Sequence, residues 1–421
     1  MIKLALDLYG QATLGCSKIA RVLKVIFGGV TERTPHRTTV RNWFIRNGSH
    51  NLEQPIEKSD DMVAIGDITI SLGKLKCLAI LGTRLGSLEQ REDYTLNHQD
   101  VEILGLHITE KATGDFVQQS FEETRNRIGV DFVGIVIDQG AEMKKGCRQY
   151  QKEHINSVVI HDIKHKMSLV MEHALKKNFI WIEFNKKMLE TRRLIQQTEF
   201  AAMVPPRQRS KARFMDIGYI LNWRKRVLEA MESGRLDCIP QKRYEEYFGW
   251  LKEYDKAFED WNFMEGAVDM INSVCREHGL SHETYEFLQI NFEEAFSVDD
   301  EYLIKFLKEA LKSVEEESCK LKPGQVMLCS TEVEESIFGK FKELNSGGQG
   351  IGSNILGLAT FVGPKLTEAS IKEAMEGCST KKGLQWIKQK VGDTLGSIRH
   401  RIFHGIKGTK FDNKFSECAV A

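Results

Sequence analysis

The stretch from residue 62 to residue 160 constrains the fold most, because strand-like and helix-like patterns follow one another in a fixed order. Three β-rich runs come first, and two short apolar runs then alternate with amphipathic helices. The predicted strands cover 62–70, 75–81, 101–108, 133–137 and 158–160, and the predicted helices cover 116–128 and 142–151. The continuous apolar run at 133–137 is typical of a buried parallel strand. The order βββαβαβ therefore predicts a mixed, five-stranded α/β sheet with flanking helices.

Two acidic residues occupy conspicuous positions on these predicted strands. Asp67 lies inside the first strand, where a carboxylate is costly unless it is solvated, paired or bound to a cation. Asp138 comes directly after the fourth strand, at the sheet edge where α/β proteins bind ligands. Two such carboxylates on neighbouring strands can share a hard divalent cation such as Mg²⁺. Each also has an ordinary interpretation, since Asp67 can be a strand-edge residue and Asp138 a helix cap.

A third carboxylate is expected from a later helix, between residues 330 and 342. Thr331 can cap this helix, and Glu334 can close a capping box with it. The apolar face predicted for the helix consists of Val333, Ile337, Phe338 and Phe341. Helical periodicity places Glu334 nearer this face than Glu335, but periodicity alone does not choose between the two.

The first 50 residues are basic, with eight Lys or Arg and two acidic residues for a net charge of +6, in a chain whose overall charge is zero. Two helices are predicted there, one beginning near Ser17 and one from Thr34-Pro35 to Asn47-Gly48. Their spacing is typical of a helix-turn-helix. The side chains predicted to contact DNA are Arg37, Arg41, Asn42 and Arg46. A plain helical hairpin with a solvated basic surface is the alternative.

About 200 residues separate Asp138 from the third acidic helix, far more than one further step of the sheet requires. This excess predicts an all-helical insertion. A basic run in it lies beside Trp223 and after Pro205-Pro206, which favours phosphate contact and base stacking. The predicted DNA-binding residues of this run are Arg207, Arg209, Lys211 and Arg213. An exposed charged loop before an ordinary amphipathic helix would give the same pattern.

Several short motifs resemble those of DDE transposases of the insertion-sequence type, which have a ribonuclease H-like catalytic core. The motifs are Gly66-Asp67-Ile68-Thr69 followed by Gly73-Lys74-Leu75-Lys76, Ile137-Asp138-Gln139-Gly140 followed by Lys145-Gly146, His161-Asp162-Ile163-Lys164-His165-Lys166, and Glu335-Ser336-Ile337-Phe338-Gly339-Lys340. The resemblance covers residues 10–400 and rests on the order and spacing of the motifs. It implies that Asp67, Asp138 and Glu335 form the catalytic, metal-binding triad, because alignment on Ser-x-Phe-Gly-Lys selects Glu335.

The resemblance also implies a match of Asp162-x-x-His165 to a signature that some transposase superfamilies carry after the second aspartate. We interpret Asp162 and His165 as secondary active-site residues, with His165 contacting DNA phosphate or steadying Asp162. A histidine that is hydrogen-bonded locally at the start of the next helix is an equally good interpretation. Zinc binding is less favoured, since no second pair of ligands accompanies these residues.

The expected domains are a helix-turn-helix at 1–58, a ribonuclease H-like core at 59–175 and 323–375, a helical insertion at 176–322 and a helical tail at 376–421. The expected activity is cleavage and transfer of DNA strands at transposon ends, with Mg²⁺ or Mn²⁺ as the cofactor. The expected partners are terminal inverted repeats, target DNA and at least one further copy of the chain. The alternatives are a domesticated, inactive DNA-binding protein and a ribonuclease H-like nuclease without strand transfer.

Composition narrows the setting in which such a chain would act. Nine cysteines without a CxxC pair argue against a disulfide framework and for a reducing compartment. No apolar stretch approaches the ~20 residues of a spanning helix, and the N-terminus lacks a signal-peptide pattern. We therefore expect a cytoplasmic, nucleoid-associated protein in a prokaryote, or a nuclear one in a eukaryote, with no membrane contact.

Overall fold

The computed structural model describes residues 1–69, 75–207, 217–233, 239–296, 298–344, 354–392, 399 and 401–405. The chain forms two compact units. The first unit consists of Met1–Arg91, Thr95–Ile160 and the described part of Thr331–Ala421. The second consists of Glu92–Tyr94 and the described part of His161–Ser330.

The first unit contains three N-terminal helices, a five-stranded sheet with its flanking helices, and three C-terminal helices. In chain order these are α1 (Ile2–Gly10), α2 (Cys16–Phe27), α3 (Arg37–Glu53), β1 (Met62–Thr69), β2 (Lys76–Arg84), α4 (Leu85–Leu88), β3 (Glu102–Thr109), α5 (Gly114–Ile128), β4 (Gly134–Ile137), α6 (Ala141–Glu153) and β5 (Val158–His161), whose last residue belongs to the second unit. The second unit supplies α7 (Ile163–Leu175), α8 (Phe179–Ile195), α9 (Ile217–Ser233), α10 (Gln241–Phe248), α11 (Asp255–His278), α12 (His282–Ala295) and α13 (Glu301–Ser318). The first unit then ends with α14 (Glu332–Leu344), α15 (Glu368–Gly377) and α16 (Thr380–Val391).

The sheet has the strand order β3-β2-β1-β4-β5. β1 pairs antiparallel with β2, and β2 pairs antiparallel with β3. β1 pairs parallel with β4, and the last paired residues are Gly66 and Ile137. The prediction of a mixed α/β fold with a five-stranded mixed sheet is confirmed.

The core between the sheet and helices α5 and α6 is apolar and aromatic. Phe121 from α5 and Tyr150 from α6 lie with ring centroids 5.8 Å apart, and Phe132 packs edge-on against Phe121. Every residue of β4 is buried, which explains its unbroken apolar sequence. Burial of the carboxyl end of β4 fixes the position of the residue that follows it, Asp138.

Helix α3 differs from its predicted length. It begins at Arg37, capped by the His36 side chain, and continues to Glu53 instead of ending at Asn47-Gly48. It packs against the 3-10 helix Ile355–Thr360 and against α15 and α16. A Cβ atom at Gly48 would lie 1.9 Å from the carbonyl oxygen of Leu356. Gly48 therefore permits a close approach of two backbones, and it does not end the helix.

Aromatic side chains dominate the core of the second unit. Trp181 and Phe184 from α8 meet Phe258 and Trp261 from α11, and the two tryptophan rings are perpendicular with centroids 4.9 Å apart. Large rings at helical spacing bury more apolar area than aliphatic residues would, which suits a bundle of long helices. Within the described part of the chain, no helix has the length and apolar character needed to cross a bilayer.

Candidate active site

Asp67 and Asp138 lie at the same edge of the sheet. Asp67 follows Gly66, and Asp138 follows Ile137, the residue paired with Gly66 across the parallel strands. Both side chains are half-buried. Oδ1 of Asp67 accepts a hydrogen bond of 2.6 Å from the backbone N–H of Ile68, and Oδ1 of Asp138 accepts one of 2.9 Å from the N–H of Gly140. The backbone thus holds both carboxylates in place at this edge.

The third carboxylate at this edge is that of Glu334 on α14. Its side chain is fully buried, and neither carboxylate oxygen has a hydrogen-bond partner of good geometry. Burial raises its pKa well above the usual value, and the negative charges of Asp67 and Asp138 raise the pKa further. The charge of Glu335 also raises the pKa of this carboxyl, whereas the backbone N–H of Asp67 lowers it.

The buried thiol of Cys77 on β2 also lies near enough to the Glu334 carboxyl to interact with its charge. Burial raises the pKa of Cys77, and the charge of Glu334 raises it further. Cys77 pairs with Thr69 in the sheet register, two residues beyond Asp67 on the same strand. Glu334 therefore lies over β1 and β2, close to the edge at which β1 and β4 end.

The motif alignment implied Glu335 as the third carboxylate, and the two neighbouring glutamates differ in burial. Glu335 is exposed, whereas Glu334 shares the buried face of α14 with Ile337, Phe338 and Phe341. Residues three, four and seven positions apart lie on one face of a helix, and the side chain of Glu334 falls on this face whereas that of Glu335 falls outside it. Of the two glutamates, Glu334 is thus the one whose carboxyl is buried near Asp67 and Asp138, and the assignment of a third metal ligand stays a prediction. A capping box would require the Glu334 carboxylate to accept a hydrogen bond from the backbone at the start of α14. Neither oxygen has a hydrogen-bond partner of good geometry, so Glu334 does not close the predicted capping box.

This donor set suits a hard cation. Asp67, Asp138 and Glu334 offer only oxygen ligands, which Mg²⁺ and Mn²⁺ prefer. A buried carboxylate without hydrogen bonds next to two further carboxylates is unfavourable, and a bound cation would offset its desolvation. The carboxylate oxygens of Asp67, Asp138 and Glu334 do not all lie within 4.8 Å of one another, so they are further apart than the ligands of one bound ion would be.

Among the described residues, one group does have ligand atoms within 4.8 Å of one another: Glu122, Glu153 and His154. His154 Nε2 is hydrogen-bonded to Glu122, and Gln118 donates a 2.8 Å hydrogen bond to Glu153. Protein partners therefore already engage the ligand atoms of this group. It lies on α5 and at the end of α6, apart from the three carboxylates, and does not account for the expected cofactor.

Asp162 and His165 belong to the second unit, where they form the start of α7. Asp162 is buried and caps the helix by accepting a 2.9 Å hydrogen bond from the backbone N–H of His165. The His165 ring nitrogen Nδ1 lies 3.3 Å from the same carboxylate. This geometry matches the interpretation of a histidine bonded locally at the start of a helix. A secondary active-site role for the pair remains a prediction.

Sequence reasoning missed Glu317, a buried acid on α13 in the second unit. Its side chain is 2% exposed. Its carboxylate accepts a 2.8 Å hydrogen bond from the backbone N–H of His161 and pairs with Lys166 at 2.8 Å and Lys320 at 2.5 Å. Burial acts to raise its pKa, but the hydrogen bond of the His161 ring, whose Nδ1 lies 3.0 Å from Oε1 of Glu317, and the charge of Lys320 outweigh burial and lower it. Glu317 thus holds His161, the residue before Asp162, in place. In the sequence it is the last of three consecutive glutamates, and no sequence signal marks it as the buried one.

The basic residues of the N-terminal helices serve different purposes. Arg37 is exposed, and Arg41 and Asn42 are half-buried. Arg46 points inward, where its guanidinium donates hydrogen bonds to the carbonyl oxygens of Cys378 (2.7 Å from Nε) and Met375 at the end of α15. The prediction that Arg46 contacts DNA is therefore corrected to a structural role.

The basic run of the second unit is only partly described. Arg207 is exposed, while Arg209, Lys211 and Arg213 lie outside the described residues. The indole of Trp223 is 3% exposed and donates a 2.8 Å hydrogen bond to the carbonyl oxygen of Met203. Trp223 is therefore a core residue and does not stack on bases. Of the four basic residues predicted to bind DNA in this run, Arg207 is the one that the structure describes, and its contact with phosphate stays a prediction.

Comparison with models of known protein families finds no match, and comparison with curated proteins finds no significant match.

Proposed function

We propose that the protein is a metal-dependent DNA strand transferase that cleaves phosphodiester bonds at transposon ends and joins the free 3′-hydroxyls to target DNA. The observation that carries the proposal is the buried carboxylate of Glu334 beside Asp67 and Asp138. These residues come from β1, β4 and α14, which are far apart in the sequence. A fold that brings three like charges together at the end of a sheet pays in stability, and such an arrangement is typical of an active site.

The topology of the sheet supports this proposal. Three antiparallel strands lead, through β1, to the parallel strand β4 and then to β5. This order is compatible with the ribonuclease H-like arrangement that we propose for the core, and it supports the proposal. Ligands bind to α/β sheets beyond the carboxyl ends of parallel strands, where Asp138 lies.

Asp67, Asp138 and Glu334 would hold Mg²⁺ or Mn²⁺, which supplies activation of the attacking oxygen and charge neutralisation at the phosphate when bound. The chain's own contribution is to position the ligands. The N–H groups of Ile68 and Gly140 fix the two aspartates. Burial and the charges of Asp67 and Asp138 raise the pKa of the Glu334 carboxyl, and a bound cation would favour its ionised form.

DNA is the partner that the proposal requires. Among the predicted DNA-binding residues that the structure describes, Arg37 on α3 and Arg207 before α9 are exposed and would be available for phosphate contact. A second protomer would be needed to hold two DNA ends at once. Action on DNA would place the protein in the nucleoid of a prokaryote or the nucleus of a eukaryote.

The test compares two neighbouring isosteric variants, Glu334→Gln and Glu335→Gln, on labelled transposon ends in Mg²⁺ and again in Mn²⁺. Glu334→Gln should lower cleavage and strand transfer by orders of magnitude and leave DNA binding unchanged, since a lost cation ligand removes several kcal/mol of transition-state stabilisation. Glu335→Gln, the matched control, should retain most activity. An inactive Glu335 variant beside an active Glu334 variant would restore the alignment register. DNA binding by the wild-type protein without any cleavage would favour the inactive, domesticated alternative.

A further inference from the structure

Helix α8 carries large apolar side chains on two opposite faces. The inner face is buried in the core of the second unit and consists of Trp181, Phe184, Met188 and Ile195. The outer face carries five large apolar side chains that are 47% to 73% exposed: Phe179, Ile180, Ile182, Leu189 and Leu194. Among the helices of the described chain, no other carries more than two such exposed side chains. A concentration of exposed apolar groups on one helix is typical of a surface that a partner covers.

The spacing along the outer face is that of a helix that pairs with another helix. At intervals of three and four residues, one stripe contains Phe179, Ile182, Lys186, Leu189 and Arg193. Glu183 and Glu190 lie beside this stripe. The four charged side chains are all exposed, and none of them forms an ion pair with another described residue. These charges are therefore available to a partner.

The order of these charges distinguishes between two orientations of a second copy of the chain. In a parallel pair of α8 helices each residue would face its own copy, so like charges would meet along the whole stripe. In an antiparallel pair centred on residue 188, residues equally far before and after this position lie opposite each other. Glu183 then meets Arg193, since they lie five residues before and after the centre. Lys186 meets Glu190, since they lie two residues before and after it.

We propose that the outer face of α8 binds the same face of a second copy of the chain, antiparallel, about a two-fold axis level with residue 188. Leu189, one residue from the centre, then lies beside the same residue of the second copy. Ile180 and Leu194 of opposite copies lie within about 3 Å of the same height along the helix. The apolar side chains at both edges of the stripe are covered in this way. Complementary charge sets the orientation and register, and burial of the apolar side chains provides the affinity.

The size of the contact indicates a weak dimer. Helix α8 has 17 residues, which corresponds to a length of about 25 Å. Contact through one pair of such helices is small for a protein interface, so we expect a dimer that dissociates on dilution. The inference does not rest on the proposed function, because two copies would pair without DNA or metal. It would supply the second protomer that this function requires.

The test measures the dimer dissociation constant of the full-length protein by analytical ultracentrifugation, in EDTA and without DNA. The variants are Glu183→Arg, Arg193→Glu and the double variant that carries both changes. The matched controls are Glu229→Arg and Lys225→Glu, which make the same changes of charge at exposed positions of α9. Thermal unfolding establishes that each variant is folded.

Each single reversal should weaken pairing about tenfold or more, because like charges then meet at two symmetry-related places. The double variant should pair as the wild type does. An equal mixture of the two single variants should form a heterodimer, because each chain then offers the charge that the other needs. Leu189→Ser should also weaken pairing, whereas the two controls on α9 should leave it unchanged.

A monomer at every concentration would overturn the proposal, and so would a dimer that the single reversals and Leu189→Ser leave intact. A dimer that the single reversals weaken and that neither the double variant nor the mixture restores would contradict the antiparallel register. Failure of the proposed function would abolish metal-dependent cleavage of DNA and leave the ultracentrifugation result unchanged, so the two failures are distinguishable.

Discussion

Replacement of Glu334 by glutamine should stabilise the metal-free protein at neutral pH. The Glu334 carboxyl is fully buried and its pKa is raised by burial and by Asp67 and Asp138. A group whose pKa is raised in the folded state contributes stability that is fully present below its unfolded pKa, about 4.3 for glutamate, and is lost as the pH rises through the folded pKa. Glutamine resembles the protonated form in shape and has no proton to lose.

The size of the effect follows from this linkage. Each pH unit between the unfolded and folded pKa removes about 1.36 kcal/mol of stability from the wild-type protein. Between pH 4.3 and pH 6.5 the upper limit is thus about 3 kcal/mol. At roughly 2–4 °C per kcal/mol for a unit of this size, the glutamine variant should unfold up to roughly 6–12 °C higher at pH 6.5. The two proteins should unfold at nearly the same temperature at pH 4.3.

The assay is thermal unfolding in EDTA from pH 4.3 to pH 7.5, followed by the same series with Mg²⁺ or Mn²⁺. Exposed Glu335 supplies the control, and Glu335→Gln should follow the wild type across the whole range. Added cation should raise the melting temperature of the wild type more than that of Glu334→Gln. A glutamine variant less stable than the wild type at pH 6.5 in EDTA would refute the reasoning, because the carboxylate would then have a favourable partner.

Three further predictions concern residues outside the carboxylate site. Glu317→Gln should lower stability by about 3–5 kcal/mol in urea unfolding at pH 7, because lysines paired with this buried carboxylate would lose their counter-charge. The difference should shrink as the pH falls through the lowered folded pKa of Glu317. Arg46→Met should lower the melting temperature but leave the salt dependence of DNA binding unchanged, whereas Arg37→Ala should reduce the slope of log K against log[salt] by about 0.9. Gly48→Ala should lower stability by about 1–3 kcal/mol in chemical denaturation, because the added methyl group collides with the carbonyl oxygen of Leu356.

The sheet could be predicted from sequence because its signals are local. The apolar run at β4 and the alternation in the first strands depend on neighbouring residues, and the positions of Asp67 and Asp138 follow from where β1 and β4 end. The length of α3 depends on distant residues instead. Asn47-Gly48 has the composition of a helix end, but packing of Gly48 against Leu356 keeps this segment helical.

The basic side chains show the same limit. Arg41 and Arg46 look alike in the sequence, but Arg46 lies beside the carbonyl end of α15, a helix more than 300 residues later. Its guanidinium there satisfies carbonyl groups that the helix leaves unpaired. A net charge of +6 in the first 50 residues therefore overstates the charge available to DNA. Only the folded structure separates the arginines that support the fold from those that remain exposed.

The choice between Glu334 and Glu335 shows why two sequence signals disagreed. Motif alignment depends on residue identity and selected Glu335. Helical periodicity depends on the direction in which each side chain points, and it placed Glu334 nearer the apolar face. The direction of a side chain decides which atoms it meets, and Glu334 meets Asp67 and Asp138 in the folded chain. An apolar residue at position 334 would avoid the desolvation of a buried carboxyl. An acid at this position lowers stability in the absence of a positive partner, and in the proposed site a bound cation would make its charge favourable.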